Sequence, residues 1–223
     1  MRAHWVFTNV NDGDFSGSAS SDDLNRRCRD LIDRPWTLLD QVHGTDVVVV
    51  TEPGGGTGRS ADASVTACVG AVLAVRTADC AAVVLVGRDD AGQATSVGVA
   101  HAGWRGLLLG VLQSTVHELE MLGAKTVEWH LGPCISAPRY EFGKTDLDRL
   151  VQRYGTSLRS TTSTGAPALD MRAGVRAAMA ETIAEPNDHD PACTASSSDY
   201  YSWRARSDRG RQVTAVWLDA EDR

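Results

Sequence analysis

The middle of the chain sets the strongest limit on its fold. Three apolar runs, AVLAVRT (71–77), AAVVLVG (81–87) and TSVGVAH (95–101), follow one another with only short polar connections. Side chains alternate across a strand, so a strand with one wet face would carry a polar residue at every second position. These runs are apolar at nearly every position and rich in β-branched residues, which places them in strands covered on both sides. GRDDAG, from Gly87, has the turn residues of a hairpin. TADC (77–80) is tighter still, a polar turn between two apolar strands.

Helices and further strands alternate around this centre. A short strand is expected at 4–8 and a helix at 22–33, stopping near Pro35. Another strand follows His43 in TDVVVVT, and EPGGGTGRS is a loop. No Lys-Ser/Thr helix start follows those glycines, so they do not make a phosphate loop. GKT at Gly143 fails the same test, because Pro138 stands where that motif needs glycine. A helix is expected from about Arg105 to Leu122, with Leu108, Leu112, Val116 and Leu119 at three- and four-residue steps and Gly123 as its stop. TVEWHLG and QVTAVWL are strands, 144–154 and 171–184 helices, and EPNDHDP a turn-rich break. No linker divides the chain, so the expectation is one α/β (α+β) domain over 1–223.

The 223 residues are enough for a real core. A net charge of −7 argues against a general nucleic-acid or anionic-membrane surface. No apolar stretch reaches the roughly 18 residues of a membrane span, and MRAHWVFTNVNDGDFSG lacks a signal-peptide core. The five scattered cysteines include no CxxC pair and suit a reducing cytoplasm better than a disulfide framework.

Chemistry concentrates in QVHGTD (41–46), TADC and AHAGWRG (100–106). Each sets a metal-ligating side chain, His43, Cys80 or His101, at a strand end or connection, where side chains converge readily on one sheet edge. Two imidazoles and a thiolate suit zinc above all, with copper a weaker match, and leave one coordination position open. Asp79 can orient a ligand imidazole or simply close its turn. Gly103 and Gly106 allow close backbone approach, and Arg105 at the helix start offers a guanidinium beside free N–H groups, an oxyanion or phosphate site. The remaining histidines carry less: His117 falls on a polar helix face, His130 lies in a strand, and His4 and His189 lie in end or turn segments. Cys134 reads as buried structure.

QVHGTD, the Ala61–Asp62 pair of ADASVT, VRTADC, VGVAHAGWRG, LGPCIS with YEFG, LDMRAG and the CT pair at Cys193 resemble, in this order, the YfiH-like family. Its members are also called laccase-domain, multicopper polyphenol oxidase, purine nucleoside phosphorylase or peptidoglycan editing factor proteins. The resemblance runs from about Leu39 to the C-terminus. It implies an α/β/α layered fold with mixed sheets, and zinc on His43, Cys80 and His101. It further implies phosphorolysis of adenosine, inosine, guanosine and methylthioadenosine, with adenosine deamination alongside, in a monomer or homodimer whose partners are nucleoside and phosphate. Arg105 is the candidate for phosphate, and Arg204 joins it through the family's aromatic-Ser-aromatic-Arg-Arg pattern. That pattern stands here as Tyr201, Ser202, Trp203, Arg204 and Ala205, one arginine short. The family's Arg-containing N-terminal turn is also shortened, with Val10 and Asn11 in its place.

Other chemistries remain open on the residues alone. A four-copper oxidase needs many histidines in H-x-H pairs, and this chain has six histidines and no such pair. A deaminase of the cytidine type needs H-x-E and P-C-x-x-C, and neither occurs. Cys80 as a nucleophile with His101 or His43 as base needs no metal, and for such a hydrolase the family resemblance implies peptidoglycan precursors as substrate. A non-catalytic metal-binding protein is the reading from a different class.

Overall fold

The apolar runs become strands, but they do not share one sheet. In the computed structural model, which describes residues 1–185 and 189–221, the first half of the chain forms β1 (Arg2–Phe7), α1 (Ser21–Leu31), β2 (Trp36–Leu38), β3 (Val47–Val49), β4 (Ala63–Thr66), β5 (Val72–Thr77), β6 (Ala81–Arg88) and β7 (Ala94–Ala102). Then come α2 (Trp104–Leu109), α3 (Val111–Met121), β8 (Thr126–Leu131), α4 (Lys144–Tyr154), β9 (Arg159–Thr161), β10 (Pro167–Leu169), α5 (Met171–Met179), α6 (Trp203–Arg206) and β11 (Gln212–Asp219). One mixed sheet has the order β1-β11-β5-β2 and the other β3-β4-β7-β6-β8. The TADC turn therefore carries the chain out of one sheet and into the other.

Strand periodicity explains the near-continuous apolarity. In β5, Leu73 and Val75 face the layer between the sheets, while Val72 and Ala74 face outward with Phe15, Cys28 and Trp36 under α1. In β6, Ala82, Val84 and Val86 enter the same inter-sheet layer, and Ala81, Val83 and Leu85 turn to the helices α2–α5. Each strand is thus buried twice. Burying one such Val or Leu contributes about 1.5–3 kcal/mol, so this layering is the main source of stability. The expected α/β/α arrangement holds, with helices on both outer faces and a middle layer made of two packed sheets.

Several boundaries differ from the sequence reading. The helix expected over 105–122 breaks at Gly110, whose backbone is left-handed (φ +101°) and whose N–H donates to the carbonyls of Gly106 and Leu107. Only glycine adopts that conformation without strain. The helix expected over 171–184 ends at Met179, and the strand after His43 is only Val47–Val49. The short strands β2 and β4 were not anticipated. Residues 186–188 of EPNDHDP lie outside the described residues. Among the described residues no helix is long and apolar enough to cross a membrane.

Candidate functional site

Strand register assembles the site at one end of the five-stranded sheet. β7 pairs with β6 so that His101 faces Ala82, two residues past Cys80, and with β4 so that Ala100 faces Ala63, one residue past Asp62. The His101 N–H continues that ladder to the Asp62 carbonyl at 2.7 Å. His43 enters from the turn before β3. Its ring meets that of His101 edge to face at 4.8 Å between centroids, and its Nε2 lies 4.0 Å from the Cys80 Sγ. One donor atom from each of His43, Cys80 and His101 lies within 4.8 Å of the other two. His101 is buried, Cys80 half-buried and His43 exposed.

Asp62 organises these donors. Its fully buried carboxylate accepts the backbone N–H groups of Val42 (3.2 Å), His43 (2.9 Å) and Gly44 (2.6 Å), together with His101 Nδ1 (2.8 Å). Three convergent N–H groups form an anion-binding nest. They also hold His43 in a left-handed backbone (φ +61°) that costs a residue with a Cβ about 1–2 kcal/mol. With Nδ1 engaged, the other His101 nitrogen is left for a metal, the usual arrangement of a ligating imidazole. Burial alone would raise the Asp62 pKa, but the bonds from His101, Gly44 and His43 outweigh it and hold the carboxyl below its ordinary value.

The expectation that Asp79 orients a ligand imidazole needs correction. Its Oδ1 accepts the hydroxyls of Thr194 (2.6 Å) and Ser202 (2.7 Å), and its Oδ2 accepts the Arg204 N–H (2.6 Å). It too has a left-handed backbone (φ +89°). Asp79 closes the TADC turn and ties it to the C-terminal segment. The orienting carboxylate is Asp62, which the sequence marked only as part of the ADASVT motif. A lone aspartate directly before a buried strand is the signal that could have found it.

The donor set has the right electronic character for a metal. Burial would push the Cys80 thiol up, but the His101 charge and hydrogen bonds from His101 and His43 bring it down to about 6. His101 moves oppositely: burial would lower it, while the Cys80 thiolate and Asp62 raise it to about 9. Without metal, the two therefore form a thiolate–imidazolium pair near neutral pH. A soft thiolate with two imidazoles is a donor set that suits zinc, and His43, Cys80 and His101 would hold the ion.

Two glycines of AHAGWRG keep this corner open. A Cβ on Gly103 would lie 2.5 Å from His43 Cδ2 and 3.5 Å from the Cys80 Sγ. One on Gly106 would lie 2.9 Å from the Gly44 carbonyl oxygen, so α2 packs directly on the His43 turn.

The donors open into a cleft of about 610 Å³, within the roughly 300–1,000 Å³ usual for small-molecule sites. Its other walls include Ser16 to Ser18 of the N-terminal loop, Gln41, Trp203 and the arginines 76, 209 and 211. Arg105 and Arg204, expected at the phosphate, do not line it. Arg105 is exposed and packs over the Trp104 ring. Arg204 lies over Tyr140, donates to the Glu141 carbonyl and faces a separate cavity. The other histidines stand apart: His117 is exposed on α3, His130 stacks on Trp5, and His4 pairs with Asp219. Cys134 is fully buried.

Comparison with known proteins finds relatives over most of the chain and the same fold in solved structures. The family model of multi-copper polyphenol oxidoreductase laccases matches residues 9–219. A protein of Streptomyces griseus named purine nucleoside phosphorylase is 38% identical over 185 residues, which cover 81% of this chain and 73% of that protein. The crystal structure of a Neisseria meningitidis protein superposes with a TM-score of 0.81 at 28% identity, covering 98% of this chain and 95% of that one. A Bacillus licheniformis protein named YfiH shares the fold with a TM-score of 0.82 at 20% identity, over 97% of this chain and 93% of that one.

Proposed function

We propose that this chain, which belongs to the multi-copper polyphenol oxidoreductase laccase family with its YfiH-named members, is a zinc-dependent purine nucleoside phosphorylase. One observation carries the proposal: a His-Cys-His donor set opens into a cleft of nucleoside size, in a chain 38% identical to a protein named for that activity. His43, Cys80 and His101 would hold the ion, which when bound supplies Lewis acidity and an acidic bound water. Copper suits the donors less well. Among the described residues this is the one group of three or more metal-ligating side chains close enough to share an ion, whereas a multi-copper oxidase needs several.

The chain's own residues position and orient. Asp62 keeps His101 in a single tautomer and the His43 turn in place. Trp203, 55% exposed at the cleft, offers a flat face for a purine. In phosphorolysis a phosphate oxygen bonds to C1′ as the C1′–N9 bond breaks. The electron pair leaves on the base, and the proton given up by phosphate ends there. Substrates of this reading are adenosine, inosine, guanosine and methylthioadenosine, and we place the protein in the cytoplasm, where its five free cysteines stay reduced.

The experiment is incubation of the zinc-loaded protein with adenosine, with and without phosphate, followed by chromatography. Adenine formed only with phosphate supports the reading. Inosine marks adenosine deamination, and adenine released equally without phosphate overturns phosphorolysis. A thiol-hydrolase reading is favoured by the Cys80–His101 ion pair, since a thiolate beside an imidazolium is an activated nucleophile. It requires turnover by metal-stripped protein, which the phosphorylase reading forbids.

A further inference from the structure

We propose that Arg76, Arg209 and Arg211 form an anion subsite that takes the phosphate dianion in the same cleft as the His-Cys-His donors. The inference rests on the phosphorylase reading and assigns the residues that the sequence had sought at Arg105 and Arg204.

Charge is the first observation. The whole chain carries a net −7, yet this cleft gathers three arginines against one carboxylate, Asp40. A concave, partly dry wall of one sign concentrates counter-ions of the other.

Preorganisation is the second. Arg76 and Gln41 exchange two hydrogen bonds, from Gln41 Nε2 to the Arg76 carbonyl (2.9 Å) and from the Arg76 N–H to Gln41 Oε1 (2.8 Å). Arg76 Nη2 donates to the Leu39 carbonyl at 2.7 Å, which fixes the half-buried guanidinium. The N-terminal loop passes close over it, where a Cβ on Gly17 would lie 3.3 Å from Arg76 Nη1. Arg211 Nη1 donates to the carbonyls of Asp208 (3.0 Å), Arg209 (2.9 Å) and Gly210 (2.7 Å). None of its other side-chain donors bonds a described residue. Arg209 is exposed, and its guanidinium bonds no described residue.

Incomplete solvation is the third. Burial draws the Arg76 guanidinium below its ordinary pKa; Asp40 offsets part of this, and the nearby Arg211 charge works against Asp40 to a smaller extent. A partly desolvated cation beside guanidiniums with spare donors is a place for an anion with several acceptor oxygens. Guanidinium groups bind phosphate in a bidentate, charge-assisted way that a single lysine does not reproduce. Phosphate held here would share one cleft with a purine lying on Trp203.

The test is equilibrium binding of inorganic phosphate to the zinc-loaded protein without nucleoside, by calorimetry, alongside steady-state kinetics with inosine. Arg209→Gln removes a charge that holds no part of the fold. It is expected to weaken phosphate roughly tenfold, as loss of a charge-assisted bond does, while the KM for inosine moves less than about twofold. Arg211→Gln should do the same or more, with thermal unfolding checked because of its three carbonyl contacts. Arg26→Gln, on the exposed surface of α1, removes the same charge and should leave phosphate affinity unchanged. If the wild type binds phosphate and the cleft variants weaken it, the subsite stands even should no nucleoside be cleaved. If phosphorolysis proceeds and both variants keep the wild-type phosphate KM, the subsite is wrong and the phosphorylase reading survives. An equal loss in Arg26→Gln would reduce the effect to overall charge and overturn the assignment.

Discussion

Asp62 and Asp79 are two buried carboxylates at the same corner of the molecule, and their partners divide the site between them. Asp62 binds three N–H groups of the His43 turn and the imidazole of His101. Asp79 binds Thr194, Ser202 and the Arg204 backbone, all from the C-terminal segment that carries Trp203. One sets the side chains of His43 and His101 and the other pins the wall of the cleft. Asp79 is the sequence neighbour of Cys80 yet bonds no ligand imidazole, whereas Asp62 reaches His101 across 39 positions. Nearness in sequence was the weaker guide, because strand register rather than chain order decides what meets at a sheet end.

Breaking the donor set itself should have the largest effect. Cys80→Ala is expected to lose bound metal and to reduce turnover more than about 100-fold, beyond the 10–100-fold typical of groups that merely support a ligand. Full metal occupancy in that variant, measured by elemental analysis, would remove Cys80 from the donors. Asp62→Asn should weaken metal by about 10–100-fold in chelator competition, and unchanged affinity would deny Asp62 its orienting role.

Asp79→Asn sharpens the contrast from the other side. An amide can no longer accept from two hydroxyls and a backbone N–H at once, so a buried donor is left facing another donor. The cost is about 1–3 kcal/mol of stability, visible in denaturant unfolding, and a loosened wall should raise the nucleoside KM. Metal affinity should stay within about threefold of wild type. A metal loss equal to that of Asp62→Asn would erase the division of labour.

The smallest effect is in protons. With Cys80 at about 6 and His101 at about 9, the metal-free site near pH 7.5 already holds a thiolate and still holds the His101 proton. Metal must displace that proton, so about one proton per ion should be released, seen by calorimetry in buffers of different ionisation enthalpy. Affinity then rises about tenfold per pH unit between roughly 6 and 9, and falls more steeply below 6 as Cys80 also protonates. Release of no protons at pH 7.5 would contradict the ion pair.

How legible each part was follows from the same physics. The meeting of His43, Cys80 and His101 could be read because these residues sit at strand ends beside turns too short to lead elsewhere. The doubled sheet could not, because β5 and β6 are both buried on two faces and alternation looks identical whichever sheet a strand joins. The break at Gly110 was hidden because apolar residues keep a helical period on both sides of it. Arg76, Arg209 and Arg211 carry no sequence mark at all, since a guanidinium's direction depends on the backbone carbonyls that tertiary structure brings to it.

The central claim is that one ion sits on these three side chains, and zinc K-edge absorption spectroscopy of the zinc-loaded protein tests it most directly. The account predicts one sulfur at about 2.3 Å and two imidazole nitrogens at about 2.0–2.1 Å, with one lighter donor completing the shell. A zinc shell without sulfur, or with a second thiolate, would contradict it.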